Sequence, residues 1–119
     1  NALNDNQGST TMIIYGLETC TLCQRAQKTL NDAGIQTTFR DVRAEPLSEA
    51  EIATLHAEFS DRIVDTNTND YRSLGMWLKN SETDAQILAQ PKVMARPIIQ
   101  NGDEWHLGWD DDVRSALIQ

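Results

Sequence analysis

Two cysteines, Cys20 and Cys23, are separated by two residues and are the only thiols among the 119 residues. Thiols at this spacing can form a reversible disulfide, in which one sulfur attacks an oxidised substrate and the other releases it. The pair can also supply half of a zinc site, or it can be a chance pair of small buried residues. Two cysteines are too few for the disulfide framework of a small secreted domain.

The residues around the cysteines predict a strand, a loop and a helix in that order. Residues 12–15 are a short apolar run of β-forming side chains, and residues 21–33 have apolar side chains at helical spacing up to Gly34. The apolar positions of this helix are Leu22, Ala26, Leu30 and Ala33. Cys20 is therefore expected at the helix N-terminus, where unpaired N–H groups and the helix dipole favour a thiolate. Cys23 is expected one turn further on, sheltered and suited to resolving a mixed disulfide.

This local context favours the redox interpretation over its two alternatives. A zinc site needs four ligands, and the other soft candidates are only His56 and His106, at no recognisable spacing. A strand that leads through a loop and a C-x-x-C into a helix is the arrangement that redox chemistry requires. We therefore predict no metal ligands.

The remaining elements predict an α/β fold. A strand over residues 37–42 completes a β-α-β unit, and a helical middle, a hairpin and a last helix follow. In the helical middle, a Ser48–Glu51 capping box precedes a helix over 49–59, a short helix at 71–74 lies in a loop over 60–75, and another helix covers 83–90. The hairpin has strands over 97–100 and 104–109 around an Asn101–Gly102 turn. The last helix is capped by Asp110–Asp112, and its apolar face is Val113, Ala116, Leu117 and Ile118. Parallel first strands and an antiparallel hairpin make a mixed four-stranded sheet with helices packed on it, which is the thioredoxin-like architecture.

Composition limits the possible functions. The chain is 39% hydrophobic and 24% charged, with a formal net charge of −8. This acidity argues against direct nucleic-acid binding. No run approaches the roughly 20 apolar residues of a membrane helix, and no secretion signal is visible. We expect a cytoplasmic monomer with a polar, disordered lead-in over residues 1–11 and one domain over residues 12–119.

Arg96 and Pro97 precede the third predicted strand. In thioredoxin-like folds a cis-proline at this point packs beside the redox cysteine and shapes the substrate groove. A trans proline that begins a strand is the alternative, and the fold context favours cis. Arg96 would bring a guanidinium near Cys20, to stabilise the thiolate or bind an oxyanion, or it would be a solvated surface arginine.

The tryptophans, Tyr15 and His56 are predicted to have structural roles instead of functional ones. We expect at least two of Trp77, Trp105 and Trp109 to be packing residues instead of the lining of a groove. Tyr15 is predicted to lie in the core, and His56 to be a half-buried histidine with its partners satisfied.

Over about residues 12–118 the chain resembles the ArsC/Spx family of thioredoxin-like proteins. The resemblance rests on "IIYGLETCTLCQRAQKTLNDAGI", "AEPLSEAEI", "DTNTNDYRSLG", "ARPII" and "HLGWDDD" in this order. The family comprises glutathione- or glutaredoxin-coupled arsenate reductases, YffB-like thiol reductases and Spx-type regulators. It implies a helical insertion over about residues 43–92 and Cys20 as the reactive cysteine.

The arsenate reductases of this family hold the oxyanion with three arginines, and the resemblance carries over only Arg96. Asp65 stands at the middle position, and Leu107–Gly108 at the last. Losing two charge-assisted partners, each worth roughly 1.5–3 kcal/mol, would weaken oxyanion binding severely. Arg72 is a candidate substitute.

The sequence therefore predicts a thiol-disulfide oxidoreductase in which Cys20 attacks, Cys23 resolves and Arg96 polarises the site. We assign substrate binding to Pro97, Arg72 and Thr19. The protein would hold no bound cofactor and would be restored by glutathione, glutaredoxin or thioredoxin. The alternative is an Spx-type redox-sensing regulator that binds RNA polymerase or another protein, and the third, disfavoured function is arsenate reduction.

Overall fold

A computed structural model describes residues 11–118, which form two compact units. Unit 1 comprises residues 11–40 and 96–118, and unit 2 comprises Asp41–Ala95. The boundaries predicted for the helical insertion, about 43 and 92, fall within unit 2. The predicted lead-in lies outside the described residues except for Thr11.

The order of the elements follows the sequence-based prediction closely. They are β1 (Met12–Gly16), α1 (Thr21–Asp32), β2 (Thr37–Asp41), α2 (Glu49–Phe59), a 3-10 helix (Ser60–Ile63), α3 (Asn69–Arg72), α4 (Met76–Lys79), α5 (Thr83–Ala89), a second 3-10 helix (Pro91–Val93), β3 (Ile98–Asn101), β4 (Glu104–Leu107) and α6 (Asp111–Leu117). The prediction missed both 3-10 helices and α4, and it placed α3 two residues late. These elements span at most four residues, too few to show a helical period.

The four strands form the predicted mixed sheet, and their order in it is β2-β1-β3-β4. β3 pairs antiparallel with β1, where Ile99 lies opposite Ile14. It also pairs antiparallel with β4, where Ile99 lies opposite His106. The central strands β1 and β3 therefore carry the most buried side chains of the sheet.

One face of the sheet and the helices α1 and α6 enclose the core of unit 1. Its buried members are Met12, Ile14, Ala26, Leu30, Ile99, Trp109, Val113 and Leu117. The predicted apolar face of α1 is partly wrong, because Leu22 and Ala33 are exposed. The buried stripe of α1 runs through Cys23, Ala26 and Leu30 instead. Ala116 of α6 is likewise exposed, contrary to prediction.

The aromatic residues lie largely where packing was expected. Trp109 is buried in the core, and half-buried Trp105 contacts the ring of Tyr15 with centroids 5.8 Å apart. Tyr15 is itself buried, and its hydroxyl donates to Gln100 Oε1 over 2.9 Å. Trp77 is the exception, because it is 85% exposed.

The hairpin between β3 and β4 turns one residue later than predicted. Asn101 pairs with Glu104, so the two turn residues are Gly102 and Asp103. Gly102 has φ +62, a left-handed conformation that glycine adopts without steric cost. β4 ends at Leu107, two residues early, because Gly108 with φ +94 turns the chain toward buried Trp109.

Local caps set the ends of the longer helices. Ser48 accepts from the Glu51 N–H over 3.1 Å while the Glu51 carboxylate accepts from the Ser48 N–H over 2.9 Å, which confirms the capping box. Asp110 accepts from the Val113 N–H over 2.9 Å and confirms the predicted cap of α6. Within residues 11–118, no helix is long and apolar enough to cross a membrane.

β1 and the first turn of α1 approach closely at Gly16. A Cβ atom added to Gly16 would stand 2.4 Å from Cys23 Sγ and 3.2 Å from Cys23 Cβ. Side-chain carbons essentially never approach a sulfur this closely, so the packing of the buried thiol requires glycine at this position.

We expect Gly16→Ala to lower the free energy of unfolding by about 1–3 kcal/mol, because the added methyl overpacks the site. Chemical denaturation measures the loss. Gly75→Ala is the matched control, since a Cβ there has nothing within 4 Å. In a Cys23→Ala background the cost should shrink, and an equal cost in both backgrounds would contradict the proposed clash.

Candidate functional site

Cys20 is the N-cap residue of α1. Its backbone is extended (φ −83, ψ 114), and its Sγ accepts from the Cys23 N–H over 3.4 Å. The Cys20 N–H donates to the Leu17 carbonyl over 3.0 Å, and the Cys20 carbonyl accepts from the Gln24 N–H over 3.1 Å. The sulfur therefore takes the place that a Ser or Asp oxygen takes in other helix caps.

Opposing effects set the protonation of Cys20, which is partly exposed. Burial acts to raise the pKa of Cys20. Hydrogen bonds from the Cys23 thiol and the Cys23 N–H, together with the positive charge of Arg96, lower the pKa by more than burial raises it. The balance holds the pKa of Cys20 below the ordinary value of a cysteine thiol. Cys20 can thus present more thiolate at neutral pH than a free cysteine.

Cys23 has the opposite character because it is fully buried. Burial, the hydrogen bond that its thiol gives to Cys20, and the negative charge of Cys20 raise the pKa of Cys23 to about 12. Cys23 therefore keeps its proton while Cys20 is a thiolate. The two sulfurs are one nucleophile and one protonated donor.

Arg96 and Pro97 belong to the same unit as the two cysteines. Their peptide bond is cis, as the fold context favours, and Pro97 is buried. The Pro97 carbonyl accepts from the Gly108 N–H over 2.8 Å. Half-buried Arg96 acts electrostatically on both thiols and lowers the pKa of each.

The two other predicted substrate-binding residues lie in different units. Thr19 is exposed in the turn directly before Cys20, in unit 1. Arg72 ends α3 in unit 2, and its guanidinium donates to Asn69 Oδ1 over 2.9 Å. Asp65, which the resemblance predicts at the position of an arginine in the arsenate reductases, accepts from the Asn67 N–H over 2.9 Å. The roles of Thr19 and Arg72 in substrate binding stay predictions.

Sequence reasoning missed a cleft of about 380 Å³ beside the first half of α1. It is lined by Glu18, Gln24, Gln27 and Phe39. Gln24 donates to the Glu18 carbonyl, and Gln27 donates to Thr37 Oγ1 over 3.3 Å. The i,i+3 spacing of the two glutamines was a signal of a shared helix face, but the contribution of Phe39 depends on the sheet.

The two histidines have carboxylate neighbours. In unit 2, His56 Nδ1 lies 3.2 Å from Asp84 Oδ1 and His56 Nε2 lies 3.5 Å from Asp61 Oδ1. In unit 1, His106 Nε2 lies 3.5 Å from Glu104 Oε1. Among residues 11–118, no group of three or more His, Cys, Asp or Glu side chains is arranged to hold a metal ion.

Comparison with known proteins connects this geometry to a family. A model of the ArsC family matches residues 15–117. The global transcriptional regulator Spx 2 of Lactococcus lactis subsp. lactis (strain IL1403) is 27% identical over 111 residues, which cover 88% of this chain and 84% of the relative.

Solved structures show the same fold at low sequence identity. A YffB protein superposes with a TM-score of 0.83 at 20% identity, covering 91% of this chain and 99% of the other. The arsenate reductase from Vibrio cholerae superposes with a TM-score of 0.70 at 18% identity, covering 85% of this chain and 92% of the other. The predicted thioredoxin-like fold is thereby confirmed, and the family match over residues 15–117 shows that the chain belongs to the ArsC family.

Proposed function

We propose that the protein is a thiol-disulfide oxidoreductase that uses Cys20 as nucleophile and Cys23 as resolving thiol. The observation that carries the proposal is the contrast between the two sulfurs. Cys20 is partly exposed with a lowered pKa, and Cys23 is buried with its pKa raised to about 12. A disulfide reductase needs this contrast, because only one sulfur must meet the substrate.

In the first step the Cys20 thiolate attacks one sulfur of a substrate disulfide. A Cys20–substrate disulfide forms, the substrate S–S bond breaks, and the second substrate sulfur leaves as a thiolate that takes up a proton. The Cys23 N–H, the Cys23 thiol and Arg96 stabilise the attacking thiolate beforehand. They keep Cys20 ionised at the cost of some intrinsic nucleophilicity.

In the second step Cys23 displaces the substrate from Cys20. Once Cys20 is in a disulfide it carries no negative charge, so two of the causes that raise the pKa of Cys23 disappear and burial remains. Cys23 then loses its proton to the solvent and attacks Cys20 Sγ. A Cys20–Cys23 disulfide forms, and the first substrate sulfur leaves as a thiolate.

The net reaction transfers two electrons from the dithiol to the substrate. Two molecules of glutathione, or one glutaredoxin or thioredoxin dithiol, would restore the reduced pair and would themselves be oxidised to a disulfide. Arg96 and Pro97 would border the attacked sulfur, and Thr19 and Arg72 are candidates for substrate contacts. No resident cofactor takes part in this scheme.

A redox-sensing regulator is the second candidate. The Lactococcus relative named a global transcriptional regulator favours it, since that likeness covers 88% of this chain. In such a protein the Cys20–Cys23 disulfide would change a surface that binds RNA polymerase. Absence of multiple turnover, together with oxidation-dependent capture of purified RNA polymerase, would select this function over the reductase.

Arsenate reduction is disfavoured by charge. Of the three arginines that the resemblance implies, only Arg96 is present in this chain. The Asp65 carboxylate accepts from the backbone N–H of Asn67, and neither Leu107 nor Gly108 carries a positive charge. An arsenate dianion would thus lack two of three charge-assisted partners. Ordinary turnover of arsenate in a glutathione- and glutaredoxin-coupled assay would overturn this argument.

Variants of the two cysteines test the proposed division of labour. Cys20→Ser should reduce turnover of hydroxyethyl disulfide to background, because the nucleophile is lost. Cys23→Ser should allow the first step and accumulate a Cys20 mixed disulfide, detectable by intact-mass spectrometry, unless external thiol releases it. If the Cys20→Ser variant formed a mixed disulfide on Cys23 as fast as the Cys23→Ser variant forms one on Cys20, the assignment of nucleophile and resolving thiol would be wrong.

The rate of Cys20 alkylation should report its lowered pKa. Because only the thiolate reacts, the rate should rise with pH through a midpoint below that of a cysteine peptide. Arg96→Gln should move the midpoint to higher pH and slow alkylation at pH 7 by roughly three- to tenfold, since it removes a positive charge that favours the thiolate.

Iodoacetamide labelling followed by peptide mass spectrometry measures the pH profile at Cys20. Arg25→Gln makes the same change in net charge on an exposed residue of α1 and serves as the control. An equal displacement by both variants would show that Arg96 acts only through the net charge of the protein.

A further inference from the structure

The cleft of about 380 Å³ that is lined by Glu18, Gln24, Gln27 and Phe39 adjoins the redox pair. Its volume is within the roughly 300–1,000 Å³ that is typical of ligand sites. Glu18 lies two residues before Cys20, and Gln24 lies one helical turn after Cys20 on α1. A group bound in this cleft would therefore lie next to the sulfur that Cys20 attacks.

Phe39 forms the apolar wall of the cleft. Its ring is half-buried and packs against the core of unit 1. A Cβ atom added to Gly16 would stand 3.7 Å from Phe39 Cζ and 2.4 Å from Cys23 Sγ. The edge of the ring thus approaches the resolving thiol, and its remaining surface can pack against methylene groups or a cation.

The amide groups of the two glutamines are oriented by their own hydrogen bonds. Gln24 Nε2 donates to the Glu18 carbonyl, which can only accept. The Thr37 hydroxyl donates its proton to Asn31 Oδ1 over 2.9 Å, so Thr37 Oγ1 accepts from Gln27 Nε2 over 3.3 Å. Each NH2 group therefore donates within the protein. Neither Oε1 accepts a hydrogen bond from any group within residues 11–118, so both amide oxygens are left as acceptors for a ligand.

The basic residues closest to the cleft in sequence do not line it. Arg40 of β2 projects from the other face of the sheet, where its guanidinium lies over the Tyr15 ring at 5.9 Å from the centroid. Lys28 Nζ is paired with Asp32 Oδ2 over 2.9 Å. Arg25 is exposed on α1 beside the two glutamines. Among the lining residues the charge is thus negative.

Charge and hydrogen bonding therefore favour a cationic ligand. Glu18 is the one charged residue that lines the cleft. Arg96 precedes β3, whereas Phe39 lies in β2, and β1 stands between these two strands. An ammonium or guanidinium group has donors and no acceptor, so the Glu18 carboxylate and the two amide oxygens can satisfy it. A carboxylate would instead meet three acceptors.

We propose that this cleft is a specificity subsite for a Lys or Arg side chain of a peptide substrate, close to the cysteine whose disulfide Cys20 attacks. The methylene groups of that side chain pack on Phe39, and its charged end donates to Glu18, Gln24 and Gln27. The inference rests on the proposed function and names its substrate class, which is disulfides in basic polypeptide segments. The formal net charge of −8 would also attract such segments on encounter.

Symmetric disulfides of three short peptides test the proposal with the reduced full-length chain. In them the cysteine is flanked on both sides by Lys, by Gln or by Glu. kcat/KM should be at least about threefold higher for the Lys peptide than for the Gln peptide, and at least about tenfold higher than for the Glu peptide. The rate at which dithiothreitol reduces each peptide corrects for its intrinsic reactivity.

Variants of the cleft should change the ratio of kcat/KM between the Lys and Gln peptides. Glu18→Gln should lower this ratio by about threefold, because it removes the carboxylate. Gln27→Glu should raise it by about twofold or more, because it adds a second one. Asp103→Asn makes the same charge change as Glu18→Gln in the β3–β4 turn, at the end of β3 that is remote from Tyr15 and Cys20. This control should leave the ratio within about 1.5-fold, and an equal effect of both variants would overturn the subsite in favour of net charge.

Nuclear magnetic resonance provides a measurement that needs no turnover. A Lys-flanked peptide with Ser in place of Cys should shift the side-chain NH2 signals of Gln24 and Gln27 in the wild type, and much less in Glu18→Gln. Equal shifts with n-butylamine at the same concentration would assign the cleft to small amines and overturn the peptide assignment.

Failure of the subsite and failure of the reductase give different results. Equal kcat/KM for the three peptides, with no shift of the glutamine signals, would overturn the subsite and leave the reductase intact. If no peptide is turned over, the reductase proposal fails, and the presence or absence of the Glu18-dependent shifts then decides whether the cleft binds a basic side chain.

Discussion

The first turn of α1 packs so tightly on the end of β1 that a side-chain carbon at residue 16 would stand 2.4 Å from Cys23 Sγ. Glycine at this position lets the helix settle with Cys23 turned inward. The same placement leaves Cys20 at the N-cap, partly in solvent. The geometry of the redox pair thus originates in a contact between a strand and a helix, and burial of Cys23 is the largest cause of its raised pKa.

From this contact follows a division of charge between two chemically identical side chains. Cys23 holds a proton that it shares with Cys20 through a hydrogen bond, and Arg96 adds a positive charge. The arrangement stabilises one negative charge at Cys20.

Unit 2 combines buried apolar side chains, among them Ile52, Leu55 and Ile87, with polar contacts that fix its short segments. A reciprocal cap begins α2, and buried Gln86 gathers carbonyls from the segment that links α4 to α5. Short helices gain little stability from their own hydrogen bonds, so such anchors decide where their side chains point. As a result Met76 and Trp77 face solvent.

The sequence by itself determined the C-x-x-C at a helix N-terminus, the mixed four-stranded sheet, the capping box at Ser48–Glu51, the cap at Asp110 and the buried character of β1. These features depend on interactions among residues a few positions apart, or on the runs of apolar, β-forming residues that mark each strand. Only the tertiary structure decided that Leu22 faces solvent, that the hairpin turns at Gly102 and Asp103, and that Trp77 alone of the tryptophans is exposed. Each of these depends on which distant side chain fills the space beside it, and a periodic pattern along one segment carries no information about that neighbour.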